Sequence, residues 1–272
     1  MLARPIPSTG EAMPVIGLGT WRAFDVGTDE RARRPLREVV RLLLDAGGRM
    51  IDSSPMYGRA EEVAGDILAA RPRAFLATKV WMTGRERGIE QMRRSAQLLR
   101  TEVIDLMQIH NLVDWRTHLA SLRQMKDDGQ LRYIGITHYT TGALPELARI
   151  LAREPGIDFV QLGYSLAKRA AETEALPVAA SHGVAVIANQ PLERGDLFHR
   201  VRGRPLPEWA GEFDCASWAQ LFLKYVLAEP AVTCVIPATG NVEHMKDDLA
   251  AGFGRLPDAR QRQQIRELWD AG

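Results

Sequence analysis

Four side chains that can donate, accept or stabilise a proton follow three successive predicted strands. Asp52 and Tyr57 lie in residues 51–58, Lys79 follows the next apolar run, and His110 ends the run after that. A tyrosine with its ordinary pKa of about 10 is a poor acid at neutral pH, but a nearby ammonium group and a hydrogen-bonded imidazole stabilise its phenolate. We therefore expect Lys79 to lower the pKa of Tyr57.

The remaining two side chains complete a plausible catalytic group. A buried lysine is costly without a partner, and Asp52 offers the counter-charge that would keep Lys79 protonated and fixed in direction. His110 can hydrogen-bond to a carbonyl oxygen and orient the group that is protonated. Together they suit the protonation of a carbonyl oxygen while a hydride arrives at the carbonyl carbon.

Each of these residues also has a purely structural interpretation. Asp52 taken alone is best interpreted as a helix N-cap, and Tyr57 as a packed ring with its hydroxyl in water. Lys79 taken alone suggests a solvated surface charge, and His110 a hydrogen-bonded core histidine. Four such coincidences at adjacent strand ends are less economical than one catalytic site.

Short apolar runs alternate with helical periodicity along the chain, which gives eight strand–helix units. One example is the stripe Leu36, Val39, Val40, Leu43 and Leu44, which ends at Gly47-Gly48 where a helix commonly stops. Eight units predict a single domain over residues 1–272, a closed (β/α)₈ TIM barrel of parallel strands. The predicted strands cover residues 15–18, 50–52, 75–78, 104–109, 133–137, 159–162, 184–188 and 233–237.

Two further features bear on this architecture. Residues 5–14 predict a short N-terminal β-hairpin that plugs the bottom of the barrel. The alternative is a doubly wound open sheet, but Gly17-Leu18-Gly19 lacks the third glycine of a dinucleotide fingerprint. The barrel brings the carboxyl ends of all strands to one mouth, and hence the four side chains together.

Composition narrows the classes of partner. The 272 residues are 46% hydrophobic, and 35 Lys and Arg nearly cancel 34 Asp and Glu, which argues against a nucleic-acid partner. The longest uncharged stretch, residues 175–192, is broken by prolines and a glycine, so no membrane span is expected. Cys215 and Cys234 have no metal-type spacing, so neither a metal site nor a disulfide framework is predicted, and a cytoplasmic location is expected.

Several motifs in register resemble the aldo-keto reductase family over nearly the whole chain. They are Gly17-Leu18-Gly19-Thr20-Trp21, Ile51-Asp52-Ser53-Ser54 with Tyr57-Gly58, Thr78-Lys79-Val80-Trp81, residues 104–111, residues 132–137 and Ile236-Pro237. The resemblance implies a (β/α)₈ barrel that reduces aldehydes or ketones to alcohols with NAD(P)H. It assigns Tyr57 as general acid/base, supported by Asp52, Lys79 and His110.

The resemblance also implies where the cofactor binds, and NADP(H) is expected in preference to NAD(H). Thr137 and His138 occupy the positions that hold the nicotinamide carboxamide in the family, and Gln161 matches a family glutamine. Asn189 stands where the family commonly has an aromatic residue stacked on the nicotinamide ring. The full expected cofactor set is Gly19, Thr20, Trp21, Asp52, Thr137, His138, Gln161, Asn189, Gln190, Pro191, Leu192, Arg194, Thr239, Asn241, His244 and Asp248.

The loops suggest the shape of the mouth. The connection after His110 is short, so the mouth is expected to be open, whereas residues 191–217, which include Arg194, form a long stretch that would fold over the cofactor. Tryptophans follow several strands and either line an apolar substrate pocket or pack within loops. The expected residues for a small carbonyl substrate are Trp21, Tyr57, Trp81, His110 and Trp115.

Two other functions remain open from the sequence. A barrel of this kind can bind nucleotide as a regulatory subunit with little turnover. An isomerase or lyase acting beside a carbonyl is the third class, but it would typically use a phosphate site or a metal cluster, neither of which is evident.

Overall fold

Ten strands occur in residues 1–69 and 74–272, which are the residues that the computed structural model describes. Eight of them pair side by side in parallel, and the first two form a separate antiparallel hairpin. The strands are β1 (Ala3–Pro5), β2 (Ala12–Pro14), β3 (Leu18–Gly19), β4 (Met50–Asp52), β5 (Phe75–Val80), β6 (Ile104–His110), β7 (Leu131–His138), β8 (Phe159–Gly163), β9 (Ala185–Asn189) and β10 (Val232–Val235).

Helices connect the parallel strands and run back along the outside of the sheet. They are α1 (Glu30–Asp45), α2 (Ala60–Leu68), α3 (Arg85–Leu99), α4 (Trp115–Asp127), α5 (Leu144–Arg153), α6 (Leu176–Ser181), α7 (Asp196–Arg200), α8 (Trp218–Leu227), α9 (Val242–Ala250) and α10 (Ala259–Asp270). The sequence pattern also predicts a helix around residues 61–70; this helix is α2, and Ala70 itself lies outside the described residues. The short helix α7 lies in the stretch 191–217 and was not predicted.

Helix α1 shows how the sequence pattern produces these elements. Leu36, Val39, Val40 and Leu43 are all buried, as their helical spacing predicts. The Asp29 side chain caps the start of the helix by accepting a hydrogen bond from the backbone N–H of Arg31. Just beyond the last turn, Gly47 takes a φ of 87°, which a residue without Cβ adopts easily.

The parallel sheet runs in chain order from β3 to β10 and closes on itself. Bridges join Ile16 to Val235 and Gly19 to Ala238. The closure confirms the predicted barrel and excludes the open sheet. The first strand was predicted over residues 15–18, but its ladder with β4 covers only Leu18 and Gly19, because the preceding residues hydrogen-bond to β10 instead.

The N-terminal hairpin packs against one end of the barrel interior. Ile6 and Met13 are buried in a core cluster whose other members point into the barrel: Met50, Phe75, Ala77, Leu106, Tyr133, Phe159, Ala185, Ile187, Cys234 and Ile236. This arrangement supports the predicted plug. The opposite end, where the strands finish, is therefore left for polar side chains. No helix within residues 1–69 and 74–272 is long and apolar enough to cross a membrane.

Candidate active site

A buried ion pair lies at the polar end of the barrel. Lys79, in β5, donates hydrogen bonds to Asp52 Oδ2 at 2.6 Å and to the backbone carbonyl of Ser53 at 2.7 Å. Lys79 is 1% exposed and Asp52 2% exposed. Burial by itself lowers the pKa of Lys79, but attraction to Asp52 and to Tyr57 outweighs it and raises that pKa above its ordinary value. The lysine is therefore held as an ammonium group.

Tyr57 is half-buried beside this pair. The Lys79 Nζ atom lies 5.2 Å from the centroid of the Tyr57 ring. Burial raises the pKa of Tyr57, and the Lys79 ammonium lowers it by less, so the pKa is above its ordinary value. The predicted effect of Lys79 is confirmed in direction, because the ammonium lowers the pKa of Tyr57. Burial outweighs it, so the net pKa is raised, which the sequence did not reveal. The phenol keeps its proton at neutral pH and is available as a proton donor.

His110 is held as a neutral imidazole. Burial, with the positive charge of Lys79 and the nearby His138, lowers the pKa of His110 to about 3. Its ring meets the Tyr57 ring edge-on, with 6.2 Å between centroids. The Nδ1 atom lies 3.0 Å from Ser54 Oγ, which also accepts the backbone N–H of Met56 at 3.2 Å. In the tautomer in which the Ser54 hydroxyl donates to Nδ1, the His110 proton is on Nε2.

Two side-chain amides donate to the Asp52 carboxylate, and a third donates to one of them. Gln108 Nε2 and Gln161 Nε2 both donate to Asp52 Oδ1, at 3.1 and 2.9 Å. Asn189 Nδ2 donates in turn to Gln161 Oε1 at 3.2 Å. Asp52 is therefore not the N-cap that it resembles in isolation, and α2 begins after Arg59. The network fixes the carboxylate that orients Lys79.

Two members of this site were not singled out from the sequence. Gln108 lies in a mostly apolar strand that also contains Asp105, and it is two positions before His110, so that the side chains of Gln108 and His110 face the same side of the strand. Ser54 lies two positions after Asp52, as the second residue of a two-serine run. Both signals were present, but neither distinguishes a functional residue without knowledge of its neighbours.

Backbone strain is concentrated in the loops that follow His110 and Asn189. A non-glycine residue in the left-handed region is uncommon, and clusters of such residues are typical of functional sites. Six of the nine non-glycine residues with positive φ in the described parts of the chain lie in these two loops: Asn111, Leu112, Asp114, Gln190, Glu193 and Arg194.

The predicted substrate tryptophans do not form one group. Trp21 is half-buried under the Arg194 guanidinium, whose carbon lies 4.5 Å from the centroid of the indole ring. Trp81 is 39% exposed just after β5, and Trp115 starts α4 and packs against the outer core. The Trp21–Arg194 contact joins the loop after β3 to the loop after β9, which supports the prediction that residues 191–217 fold over the mouth.

Several expected cofactor residues lie along the ends of the barrel strands. Thr137 is in register with both His110 and Gln161, and His138 follows it with its Nδ1 bound to Thr140. Gly19 bridges to Ala238. In the following loop, the Thr20 hydroxyl donates a hydrogen bond to the backbone carbonyl of Asp52 at 3.0 Å. Thr20 therefore has a structural partner in this arrangement.

The remaining expected cofactor residues lie in the loops after β9 and β10. Gln190 adopts a positive φ, Pro191 is buried and Leu192 packs against the core. The Asn241 side chain accepts the backbone N–H groups of Glu243 and His244 and so caps α9 itself. Burial and the neighbouring Asp247 raise the pKa of Asp248 to about 8. Two N–H groups at the start of α9 are thus already bound by Asn241, and Thr239 lies beside them.

Comparisons with known proteins agree with this geometry. The model of the Aldo/keto reductase family matches residues 15–270. The aldo-keto reductase YhdN of Bacillus subtilis (strain 168) is 30% identical over 213 residues, 71% of this chain and 62% of that protein, so the match spans less than two thirds of that relative. Methylglyoxal reductase YeaE of Escherichia coli (strain K12) is 26% identical over 250 residues, 88% of this chain and 85% of that protein.

Solved structures extend the similarity to three dimensions. The aldo-keto reductase of Klebsiella pneumoniae in complex with NADPH superposes with a TM-score of 0.80 at 25% identity, and the match covers 99% of this chain and 96% of that one. The similarity spans nearly the whole of both chains.

Proposed function

The chain belongs to the aldo/keto reductase family, and from this premise we propose that it reduces a small aldehyde or ketone to the corresponding alcohol with NADP(H), with Tyr57 as the general acid. The prediction of the family and of an enzyme is confirmed. A relative named methylglyoxal reductase supports a small carbonyl substrate, and a structural neighbour that contains NADPH supports the cofactor.

One observation carries the proposal for Tyr57. The buried Lys79–Asp52 pair lies against a phenol that keeps its proton, and a neutral imidazole faces the same phenol. Burying two charges is costly, and a pair retained beside a proton donor indicates a functional use. A surface lysine or a packed tyrosine would need neither neighbour.

The proposed reaction uses each group once. When bound, the reduced nicotinamide supplies a hydride to the carbonyl carbon. The Tyr57 hydroxyl transfers its proton to the carbonyl oxygen, so that C=O becomes CH–OH and Tyr57 is left as phenolate. The Lys79 ammonium stabilises that phenolate until solvent returns the proton. The Nε2–H of His110 donates to the same oxygen and orients it.

Residues around the mouth fit a dinucleotide cofactor. Asn189 presents a buried side-chain oxygen with no partner in the described residues, which suits a ligand donor. Arg194 covers Trp21 from the long loop. A surface depression lies between α1 and Val242, the first residue of α9. Its charged lining consists of Arg31, Arg34, Arg37, Arg41, Glu30 and Glu38, so positive charges outnumber negative ones near the start of that helix.

These arginines favour NADP(H) over NAD(H), since the extra phosphate of NADP(H) is an anion. The preference is measured as the dissociation constants of NADPH and NADH. We expect tighter binding of NADPH. Equal or tighter binding of NADH would contradict the preference and leave the reductase proposal intact.

The substrate is expected to enter an open mouth. Only residues 111–114 separate β6 from α4, so no long flap covers His110 on that side. We propose Trp21, Trp81 and Trp115 as the apolar contacts for the substrate beside Tyr57 and His110. We also propose one domain over residues 1–272 and a cytoplasmic location, which the free thiols Cys215 and Cys234 fit.

The direct test is oxidation of NADPH, followed at its absorbance band, with methylglyoxal and a panel of aromatic and aliphatic aldehydes. We expect steady oxidation with several members of the panel. Binding of NADPH without oxidation by any carbonyl would favour the regulatory barrel instead. Conversion of a carbonyl compound without NADPH would favour an isomerase or lyase.

A further inference from the structure

We propose that the side-chain oxygen of Asn189 accepts a hydrogen bond from the carboxamide N–H of the bound nicotinamide. The inference rests on the proposed use of a nicotinamide cofactor. Asn189 ends β9 at the mouth of the barrel, and its Oδ1 atom is buried without a partner in the described residues. Buried polar atoms are nearly always hydrogen-bonded, so an unpaired one in a candidate binding site indicates a ligand that supplies the donor.

The charge of Asp52 fixes the direction in which Asn189 points. A carboxylate only accepts hydrogen bonds, so Gln161 must turn its Nε2 toward Asp52, where it donates to Oδ1 at 2.9 Å. That orientation presents Gln161 Oε1 to Asn189, whose Nδ2 donates to it at 3.2 Å. Reversing the Asn189 amide would bring two oxygens face to face. The Oδ1 atom is therefore the one left for a ligand.

The neighbouring strand carries a glycine beside this oxygen. Gly163 of β8 is in register with Asn189, and a Cβ at Gly163 would lie 3.7 Å from Asn189 Oδ1 and 2.6 Å from the Tyr139 carbonyl. A side chain at position 163 would therefore clash with the Tyr139 carbonyl, and its Cβ would be in van der Waals contact with the oxygen. The residue after Asn189, Gln190, has a φ of 52°, so the chain bends sharply away from the strand at this point.

The chemistry of the site selects the partner. An aldehyde or ketone group carries no N–H or O–H donor, whereas the nicotinamide carboxamide carries two N–H donors and no charge. An uncharged donor suits an uncharged buried acceptor. An asparagine has no aromatic face on which the nicotinamide ring could stack, so a hydrogen bond from Asn189 takes the place of the stacking contact that the family resemblance implies at this position.

The contact is tested by equilibrium binding rather than by turnover. NADP⁺ is compared with its 3-acetylpyridine analogue, in which an acetyl group replaces the carboxamide and removes both N–H donors. Adenosine 2′,5′-bisphosphate, which lacks the nicotinamide half, serves as the control ligand. Dissociation constants are measured by tryptophan fluorescence for the wild type and for Asn189→Ala.

We expect the wild type to bind the analogue about tenfold more weakly than NADP⁺, because one buried acceptor loses its donor. In Asn189→Ala, NADP⁺ should lose about tenfold in affinity. The difference in affinity between NADP⁺ and the analogue should then narrow by the same factor, and the bisphosphate should bind as it does to the wild type.

Three outcomes would overturn the inference. The first is equal affinity of the wild type for NADP⁺ and the analogue. This outcome needs no variant, so it would overturn the inference even if Asn189→Ala failed to fold. A loss in Asn189→Ala that is the same for both dinucleotides would show that Asn189 acts elsewhere. A wild type that binds neither NADP⁺ nor the bisphosphate would overturn the proposed function together with this inference.

Discussion

Removing the charge of Lys79 should destabilise the whole barrel. In Lys79→Met the buried Asp52 carboxylate keeps the Gln108 and Gln161 amides but loses its only ammonium partner in the described residues. An unpaired buried charge is one of the largest penalties that a single substitution can introduce. Methionine has a similar length, so the change leaves little cavity.

The expected loss follows from the burial of the pair. Both partners are 1–3% exposed, so solvent does not screen them, and removing one partner of such a pair costs about 3–5 kcal/mol of the free energy of unfolding. The double variant Lys79→Met/Asp52→Asn removes both charges and keeps an oxygen for the two glutamines. Its loss should be smaller than that of Lys79→Met by about 2 kcal/mol.

Urea unfolding followed by tryptophan fluorescence measures these losses as shifts of the midpoint. Lys246→Met is the matched control, because Lys246 pairs with Glu243 at 2.7 Å while 52% and 75% of the two side chains are exposed. We expect little or no loss there, since water already screens the pair. The reasoning is refuted if Lys79→Met costs no more than the control, or if the two site substitutions are additive.

Three further predictions concern single side chains. Ser54→Ala should lower kcat/KM about fivefold, because His110 loses a neutral hydrogen bond worth about 1 kcal/mol that fixes its tautomer. Ser54→Thr keeps the hydroxyl and should restore the rate. An unchanged kcat/KM in Ser54→Ala would count against the tautomer argument. The pKa of His110 is about 3 in the folded protein and about 6.5 in the unfolded chain, so stability should fall as pH drops from 6.5 toward 3. The melting temperature of His110→Gln should depend less on pH over this range than that of the wild type. The pKa of Asp248 is about 8 in the folded protein and about 3.9 in the unfolded chain, so stability should fall as pH rises between these values. Asp248→Asn should therefore raise the melting temperature more at pH 8 than at pH 5. An equal rise at both pH values would contradict this prediction.

The fold was predictable because its pattern is long and repeated. Each unit repeats the same two patterns, a short apolar run for the strand and an apolar stripe with helical spacing for the helix. An error of a few residues in one unit therefore does not change the topology. The first strand shows such an error. Residues 15–17 are apolar like a strand, but their backbone partners are on β10 rather than β4, and pairing partners cannot be deduced from hydrophobicity.

The site was predictable in its members and less so in its electrostatics. The spacing of Asp52, Lys79 and His110 at successive strand ends suffices to bring them together once the barrel is known. The sign of the pKa shift of Tyr57 depends on the balance of burial against one ammonium charge, and that balance needs the three-dimensional surroundings. The roles of Gln108 and Ser54 likewise depend on which atoms they face.

Tyr57→Phe tests the central claim most directly, because it removes the hydroxyl proton and keeps the ring. The measurement is kcat for the best aldehyde of the panel, together with the dissociation constant of NADPH. We predict that NADPH binds as to the wild type, while kcat falls by about a hundredfold or more, the usual contribution of a positioned general acid. A Tyr57→Phe enzyme that reduces the aldehyde at the wild-type rate would contradict the account.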